Sequence, residues 1–323
     1  MPTEINDLFD MLRPGKPLPT AAPLSPVDAW RADIIEFIET IDDREGNVPG
    51  KQRASSLDKV CGRRSALAAL HPHIRVVKRI DVGRRINFDV GKALHYWWQN
   101  KYLGPMQRLW GQWFCAGCEA STHTGLMPKR CPECDRPRVV IHEWVDSDGK
   151  PQSHKVDNIT YAEMLLVSEE LALSGHPDGL LVNRGEMTPS LLNELKSIST
   201  KNYDKLTKPE AGYLDQIHAY MHILGMRACM ITYIDKGKSC EWRGGPSGPV
   251  AGSPRFKNFY IKFDDERWAK IEAKLLDNKR AIDNPPEATA GVNEWKRVCD
   301  APGSRLAREC ALRDECFSLR VAP

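Results

Sequence analysis

Glu194 and Lys196 stand two residues apart in the segment 190–197, where their side chains could share one catalytic face. The segment predicts a β-strand, and alternate side chains of a strand point to the same side of the sheet. Leu195 would then point the other way, into the core. Because the neighbouring residues are largely apolar, we expect a buried strand, and a buried lysine requires a partner or a function. A plain surface ion pair is the alternative interpretation.

Asp178 supplies a second carboxylate, sixteen residues before Glu194, in the run Gly-His-Pro-Asp-Gly of the strand-like segment 171–182. Gly and Pro bend a chain, which can aim the carboxylate at a neighbouring strand. Two carboxylates that converge from paired strands make an oxygen-rich site suited to Mg²⁺ or Mn²⁺. Such an ion polarises a phosphate and lowers the pKa of a bound water, while Lys196 could orient or deprotonate that water.

The elements that must position these residues predict an α/β fold, with a mixed central β-sheet flanked by helices. Hydrophobic periodicity indicates helices at 55–70, 91–103 and about 209–224, and strands at 171–182, 190–197, 228–234 and 258–263. Gly225 favours the end of one helix, and Asp264 favours the start of another that runs to about residue 282. A further helix is expected after Ser25 and Pro26.

Four motifs stand in one order along the chain: His95 in Gly-Lys-Ala-Leu-His, then Gly-His-Pro-Asp-Gly, Glu-Leu-Lys, and Gln216 with Tyr220 in Gln-Ile-His-Ala-Tyr. This order resembles the PD-(D/E)XK nuclease superfamily, in its RecB-like exonuclease branch, over roughly residues 55–320. The resemblance implies a restriction-endonuclease-like core and cleavage of single-stranded or end-containing DNA in recombination, repair or replication.

The same resemblance implies roles for individual residues. The metal ligands would be His95, Asp178, Glu194 and the Leu195 carbonyl, and Lys196 would be catalytic. Gln216 and Tyr220 share one helix face and would line the DNA path near the scissile phosphate. For His95 the alternative is a core histidine. Glu169 and Glu170 are interpreted as solvated charges.

Four cysteines form a pair of Cys-x-x-Cys turns separated by twelve residues, namely Cys115, Cys118, Cys131 and Cys134. Two such turns offer four thiolates to one ion, which suits tetrahedral Zn²⁺. The sequence therefore predicts an inserted zinc ribbon at 113–145. It could be a structural staple, or it could contact DNA or a partner through its lysine and arginine residues.

A second set of four cysteines is spread widely over the chain and comprises Cys61, Cys299, Cys310 and Cys316. One early and three late cysteines are similar to the pattern that holds a [4Fe–4S] cluster in CRISPR-associated and AddB-type nuclease domains. The ten residues between Cys299 and Cys310 depart from that pattern, so Cys299 is the doubtful ligand. Buried free thiols and a second zinc are the alternatives. Cys229 is expected in the core, and Cys240 has no assigned role.

The composition is that of a globular protein, with 323 residues, 41% hydrophobic and 28% charged. A membrane span is not expected, since the sequence has no run of 18 apolar residues. The N-terminus lacks a secretory pattern, so we expect a cytoplasmic protein. Residues 1–50 carry four Lys/Arg and ten Asp/Glu, whereas residues 51–92 carry eleven Lys/Arg and three acids. The basic stretch suggests a surface for a polyanion, or simply a solvated face.

The predicted organisation has five parts: an acidic segment with a Pro-rich linker (1–26), a helical part (27–112), the zinc ribbon (113–145), the nuclease core (146–283) and a Cys-containing segment (284–323). The first part could dock onto a recombination or replication protein. The alternative to a nuclease is a non-catalytic nucleic-acid-binding subunit of such a complex.

Overall fold

The computed structural model describes most of the chain from Lys51 onwards. The described residues are 51–71, 74, 82–119, 123–145, 147–236, 244–245, 248–249, 256–287, 289–295, 297–308 and 310–319. The chain divides into two compact units, residues 1–43 with 78–87 and residues 44–77 with 88–323. The acidic segment, the linker, the helix expected after Pro26 and Cys240 lie outside the described residues.

The described residues form fourteen strands. They are β1 (Gln52–Arg53), β2 (Leu109–Cys115), β3 (His123–Leu126), β4 (Val139–Val145), β5 (Pro151–Asp157), β6 (Ile159–Ala162), β7 (Leu166–Ser168), β8 (Leu173–Gly175), β9 (Gly179–Val182), β10 (Pro189–Ile198), β11 (Ala228–Asp235), β12 (Gly244–Gly245), β13 (Gly248–Pro249) and β14 (Phe256–Lys262).

Seven α-helices and three shorter helical turns complete the described elements. The α-helices are α1 (Gly62–Leu70), α2 (Val82–Trp97), α3 (Thr200–Lys205), α4 (Ala211–Ile223), α5 (Asp265–Asp283), α6 (Arg305–Arg308) and α7 (Arg313–Ser318). The 3-10 helices are Ala54–Lys59 and Thr289–Glu294, and a π-helix at Trp98–Leu103 continues α2. Among the described helices, none combines the length and apolar content that a membrane crossing requires.

The central sheet has seven strands in the order β14-β11-β10-β9-β2-β3, and β6 also pairs with β2. β10 and β11 are parallel, and the other neighbours in this sheet are antiparallel. β1, β8 and β7 form a separate three-stranded sheet, and β4 pairs with β5 as a hairpin. This mixed sheet with flanking helices confirms the predicted fold class.

The strands β10 and β11 form the buried middle of the sheet. Leu192 and Leu195 in β10 and Ile231 and Tyr233 in β11 are fully buried, as expected for parallel strands covered on both faces. Helix α4 packs on these strands and belongs to the same hydrophobic core. The middle of the sheet is therefore a rigid platform for any polar side chain that it carries.

The ends of α4 and α5 lie close to where the sequence predicts them. Gly225 has a φ of +66° just after α4, a left-handed conformation that glycine adopts without steric cost. The Met226 N–H donates to the Met221 carbonyl at 2.8 Å across this turn. At the start of α5, the Asp264 side chain accepts a hydrogen bond from the Arg267 N–H at 3.0 Å.

Three predicted elements differ from the structure. The helix expected at 55–70 is two helices, because Cys61 is extended, with a φ of −151°. The helix expected at 91–103 begins at Val82 and ends in the π-helix. The strand expected at 171–182 is the two strands β8 and β9, because the Gly and Pro residues break the run and send its halves into different sheets.

The segment 113–145 shares a strand with the central sheet. β2 runs to Cys115 and pairs with β9 as well as with β3 and β6. The first cysteine of the predicted zinc ribbon therefore lies at the end of a core strand. The division of the chain at residues 113 and 145 stays a prediction.

Candidate active site

Asp178 lies at the break between β8 and β9 and is only 5% exposed. Its Oδ2 accepts a hydrogen bond from the Leu195 N–H at 2.6 Å, and its backbone carbonyl accepts one from Gln99 Nε2 at 3.0 Å. Gly179 follows with a φ of +138°, and a Cβ there would lie 2.3 Å from Leu109 Cδ1. Only glycine fits this turn, so the backbone fixes the direction of the Asp178 carboxylate.

His95, near the end of α2, contacts this carboxylate. Its Nδ1 lies 3.0 Å from Asp178 Oδ1 and 3.9 Å from Glu163 Oε1. One ligand atom from each of the three residues lies within 4.8 Å of those of the others. Gln99, one helical turn after His95, holds Glu163 Oε1 at 3.5 Å. The helix α2 and its π-helical continuation thus bring an imidazole to two carboxylates.

Glu194 and Lys196 form a pair beside this group. Lys196 Nζ donates to Glu194 Oε1 at 2.6 Å and to Gln216 Oε1 at 3.3 Å. It also lies 4.5 Å from the centre of the Tyr213 ring. The Glu194 side chain is buried and that of Lys196 is largely so, so the ammonium is held by a carboxylate, an amide and an aromatic ring.

Gln216 and Tyr220, one turn apart on α4, complete the hydrogen-bond chain. Gln216 Nε2 donates to the Tyr220 hydroxyl at 3.1 Å, and that hydroxyl donates to the His176 carbonyl at 3.2 Å. Tyr220 is 2% exposed. Its surroundings are those of a residue that orients Gln216 rather than those of one that touches a strand of DNA.

Charges at the site shift the acid–base equilibria of its members. Burial would lower the pKa of His95, but the Asp178 and Glu163 carboxylates more than offset this and raise it to about 10. Burial would raise the pKa of Asp178, but His95 and Lys196 hold it below its usual range. His95 and Asp178 therefore stand as an imidazolium–carboxylate pair in the metal-free protein.

The Glu194–Lys196 pair is shifted in a different way. Burial is the largest influence on Glu194 and raises its pKa to about 7 despite the neighbouring Lys196. For Lys196, burial favours the neutral amine, but Glu194 and Asp178 outweigh it and raise the pKa. The site thus holds more carboxylates than its two cations satisfy, which is a setting suited to an added cation.

A divalent cation fits this donor set. Glu194 Oε2 is buried and has no hydrogen-bond partner among the described residues, and such an oxygen favours a cation. The group whose ligand atoms lie within 4.8 Å of one another comprises His95, Glu163 and Asp178 and does not include Glu194. Mn²⁺ accepts an imidazole among carboxylates more readily than Mg²⁺ does. The Leu195 backbone, whose N–H donates to Asp178, adjoins the same group.

Three members of the site were not found from the sequence. Glu163, Gln99 and Tyr213 contact the predicted residues through β6, the π-helix and α4 respectively. Glu163 stands directly after β6. A carboxylate at the end of a strand was the sequence signal that could have marked it as a site residue. Glu169 and Glu170 are exposed, as the solvated interpretation predicts, and Glu169 also forms an ion pair with Lys51.

The Cys-x-x-Cys pairs converge at the end of β2. Cys115 Sγ lies 3.8 Å from Cys134 Sγ, and Cys118 Sγ lies 3.7 Å from Cys131 Sγ. All four sulfurs lie within 4.8 Å of one another. Asn158 Nδ2 lies 3.5 Å from Cys115 Sγ, as expected for a donor that supports a metal-bound thiolate.

The backbone of the second turn favours thiolate at this group. The Cys134 N–H, followed by the Glu133 N–H, lowers the pKa of Cys131 to about 7 against the opposing effect of burial. The pKa of Cys134, by contrast, is raised, so the fit to Zn²⁺ rests on the geometry of the four sulfurs. We call these four residues the local quartet.

The four widely separated cysteines line one cavity of about 50 Å³. We call them the distal quartet: Cys61, Cys299, Cys310 and Cys316. Within the part of the chain that the structure describes, they do not form a group with ligand atoms within 4.8 Å. Arg64, Arg297 and Arg313 also line the cavity. Wide sulfur spacing, a central space and nearby cations fit a polynuclear cluster with anionic ligands better than a single zinc ion.

Arg63 ties the two ends of this region together. Its guanidinium is buried and donates to the Val292 and Trp295 carbonyls at 3.3 Å and to Asn293 Oδ1 at 3.0 Å. Burial raises the pKa of Cys316, and the nearby Arg63 guanidinium opposes this rise. The start of α1 is thereby fixed to the segment that carries the three late cysteines.

No protein-family model matches the sequence, and no curated protein matches it. Among solved structures, the chain is similar to SSO0001, at 11% identity over 81% of this chain and 90% of that one, with a TM-score of 0.38. It is also similar to an alkaline exonuclease (LHK-Exo) from Laribacter hongkongensis, at 14% identity over 76% and 91%, with a TM-score of 0.38. A phage-related exonuclease from Haemophilus somnus 129PT shows 12% identity over 72% and 93%, with a TM-score of 0.31. At such identities and scores, function has to be argued from the site itself.

Proposed function

We propose that this chain is a metal-dependent DNA nuclease of the PD-(D/E)XK kind, with Asp178, Glu194 and Lys196 at its centre. The observation that carries the proposal is the buried Lys196–Glu194 contact of 2.6 Å beside the carboxylate of Asp178. A protein that gained only stability would rarely bury this many charges, because each one loses hydration. Perturbed, converging charges of this kind are typical of catalytic sites.

The residues would divide the work as follows. Asp178, Glu194, His95 and the Leu195 carbonyl would hold the divalent ion, and Glu163 joins this set. When bound, the ion would polarise the scissile phosphate and lower the pKa of a water. Lys196 Nζ would donate to the phosphate or to the attacking water and offset the charge that develops there.

Gln216 and Tyr220 support Lys196 by position. The chain from the His176 carbonyl through the Tyr220 hydroxyl to Gln216 fixes the amide oxygen that Lys196 Nζ meets at 3.3 Å. A side chain held in this way needs no reorganisation during the reaction, which lowers the barrier. Gln216 would therefore fix the position of the Lys196 ammonium group.

The preference for single-stranded DNA or DNA ends, and exonuclease action in recombination, repair or replication, belong to the same proposal. They rest on the resemblance of the motifs to RecB-like exonucleases.

The test is cleavage of end-labelled single- and double-stranded DNA with Mg²⁺ or Mn²⁺. Asp178→Asn and Lys196→Met should each lower the rate by roughly 10²–10³-fold or more. Matched controls are Asp204→Asn and Lys201→Met, two exposed positions on α3, which should cleave at the wild-type rate. Equal cleavage by all five proteins would refute the assignment of the site.

The same assay examines the alternative of a non-catalytic nucleic-acid-binding subunit. Binding of DNA without cleavage in any divalent metal, unchanged in Asp178→Asn and Lys196→Met, would favour that alternative. Deletion of residues 1–24 addresses the proposed protein partner, since it should abolish partner binding and leave cleavage intact.

The two quartets would hold the other metals. We assign Zn²⁺ to the local quartet, on its four clustered sulfurs, and a [4Fe–4S] cluster to the distal quartet, on its cavity and its spacing. Purification without oxygen, followed by iron, sulfide and zinc analysis, tests both. A colourless protein with two zinc ions per chain would overturn the cluster assignment.

A further inference from the structure

The segment 157–163 lies between the local quartet and the carboxylate site. Its strand, β6, pairs with β2, and Ile159 stands opposite Cys115 in this pairing. Glu163 stands directly after β6, five residues after Asn158. A single short strand therefore connects the cysteine turns with a carboxylate of the site.

Asn158 is bonded to the cysteine turns and their flanks through both its backbone and its side chain. Its N–H donates to the Arg138 carbonyl at 2.7 Å, and its carbonyl accepts from the Ala116 N–H at 2.9 Å. Its Nδ2 donates to the Pro137 carbonyl at 3.1 Å and lies 3.5 Å from Cys115 Sγ. The residue is buried. These bonds all depend on the order of the two Cys-x-x-Cys turns.

The helix α2 and its π-helical continuation hold the same segment from another side. The Tyr96 hydroxyl donates to Asp157 Oδ2 at 2.7 Å, and Lys101 Nζ donates to the same oxygen at 2.5 Å. Asn100 Oδ1 accepts from the Tyr161 N–H at 2.6 Å. The segment is thus fixed jointly by the cysteine turns and by the helix that carries the imidazole of the site.

Glu163 depends on its backbone for its position more than Asp178 does. Its side chain is 39% exposed, against 6% for Asp178. Its Oε1 lies 3.5 Å from Gln99 Nε2 and 3.9 Å from His95 Nδ1, whereas Asp178 accepts from the Leu195 N–H at 2.6 Å. Because these side-chain contacts are long, the end of β6 sets where the Glu163 carboxylate lies.

We propose that a zinc ion in the local quartet positions Glu163, so that zinc binding there and binding of the divalent ion at the carboxylate site favour each other. The proposal rests on the metal site of the nuclease function proposed above. Zinc would order the turns, the turns would hold Asn158, and β6 would place the Glu163 carboxylate within reach of the ion. The ordered and open forms of the turns are the two states that both ions would bias.

The experiment titrates Mn²⁺ into full-length protein without DNA and measures the free ion by electron paramagnetic resonance. Cys118→Ser removes one zinc ligand but leaves Cys115 beside Asn158, and it should bind Mn²⁺ about 5–20-fold more weakly than the wild type. Asn158→Ala keeps all four thiols and should retain the zinc, since structural zinc sites bind tightly. It should nevertheless weaken Mn²⁺ binding, because the connection to β6 is cut.

Matched controls change the same region or the same residue type without touching the segment. Arg130→Met breaks an exposed ion pair with Asp135 beside the second turn. Asn183→Ala changes an exposed asparagine just after β9. Both variants should bind Mn²⁺ like the wild type. Circular dichroism and urea unfolding check that Cys118→Ser and Asn158→Ala are folded under the conditions of the titration.

A double-mutant cycle separates the positioning of Glu163 from a general loosening of the fold. Glu163→Gln should itself weaken Mn²⁺ binding. Adding Cys118→Ser to it should cause no further loss, because the carboxylate that zinc positions is already gone. A general loosening would instead weaken binding by the same factor in both backgrounds.

Linkage supplies a readout in the opposite direction. Saturating Mn²⁺ should raise the affinity of the local quartet for zinc by the factor that zinc gives to Mn²⁺, measured by competition with a zinc-selective chelator. Equal Mn²⁺ binding by the wild type, Cys118→Ser and Asn158→Ala overturns the proposal, as does a full further loss in the Glu163→Gln background. If the wild type cleaves DNA in that case, the coupling fails and the nuclease stands. If the wild type binds no Mn²⁺, the proposed metal site fails and the coupling fails with it.

Discussion

The local and distal quartets each offer four thiols, but they differ widely in how far apart their cysteines stand along the chain. The local quartet spans residues 115–134, and its sulfurs meet because two short turns face each other at the end of β2. The distal quartet spans residues 61–316, and its members reach one cavity only after α1 has packed on α5 and the C-terminal segment. The first is a product of local turns, whereas the second is a product of the whole fold.

This difference predicts which part of the fold each metal site should stabilise. A crosslink restrains the unfolded chain more when it closes a longer loop. A metal in the local quartet should therefore order its own segment, while a cluster in the distal quartet should stabilise the entire domain. Both lie outside the carboxylate site, so neither should alter its chemistry directly.

The largest effect is expected from Cys310→Ser in the distal quartet. Loss of a crosslink that closes the loop from Cys61 to Cys316 should lower the free energy of unfolding by about 4–5 kcal/mol. The measurement is a urea unfolding curve together with the visible absorbance of the anaerobically purified protein. An unchanged midpoint with retained iron would show that the distal quartet does not crosslink the fold.

Arg63→Met should have the next largest effect, because it removes the guanidinium that joins α1 to the C-terminal segment. Loss of charged hydrogen bonds to two buried carbonyls should cost about 2–3 kcal/mol. Arg184→Met, in the exposed turn between β9 and β10, is the control in the same urea experiment. If Arg63→Met unfolds like the wild type, the cysteines alone hold the two ends together.

Cys118→Ser in the local quartet should have a smaller and more local effect. Zinc content should fall by one ion per chain, and proteolysis within 116–134 should become at least several-fold faster, because a segment with little core of its own opens locally. The global free energy of unfolding, taken from the urea curve, should fall by no more than about 1–2 kcal/mol. A loss of unfolding free energy as large as that expected for Cys310→Ser would contradict the proposed difference between the two quartets.

The smallest effect is expected from Cys229→Ser, a thiol in neither quartet. Cys229 is fully buried in β11, and burial raises its pKa. A hydroxyl in that apolar setting should cost about 1 kcal/mol with no change in iron or zinc. Metal analysis and thermal unfolding check this, and a change in metal content would show that thiol loss alone perturbs the quartets.

Spacing in the sequence was enough for features made by one turn or one strand. The Glu194–Lys196 contact follows from strand alternation, and the clustering of the local quartet follows from its two turns. Asp178 was found as a ligand candidate, but the break of its strand into two sheets was not expected, since Gly and Pro permit several turns.

Features made by distant segments could not be read from spacing. Glu163 and Gln99 reach His95 and Asp178 only because β6 pairs with β2 and the π-helix lies beside β9. No local pattern specifies those pairings. The distal quartet came from a family resemblance alone.

Strand β10 has a consequence for inhibition. Its Glu194 side chain lies beside Lys196, whereas Asn193 points to the opposite face of the sheet, toward a cavity lined by Trp97, Trp98 and Phe256. Compounds that chelate catalytic metals also strip them from unrelated enzymes. A neutral aromatic compound bound in that cavity would act from the opposite face of the sheet. Its selectivity would come from the shape of the aromatic walls rather than from affinity for a common ion.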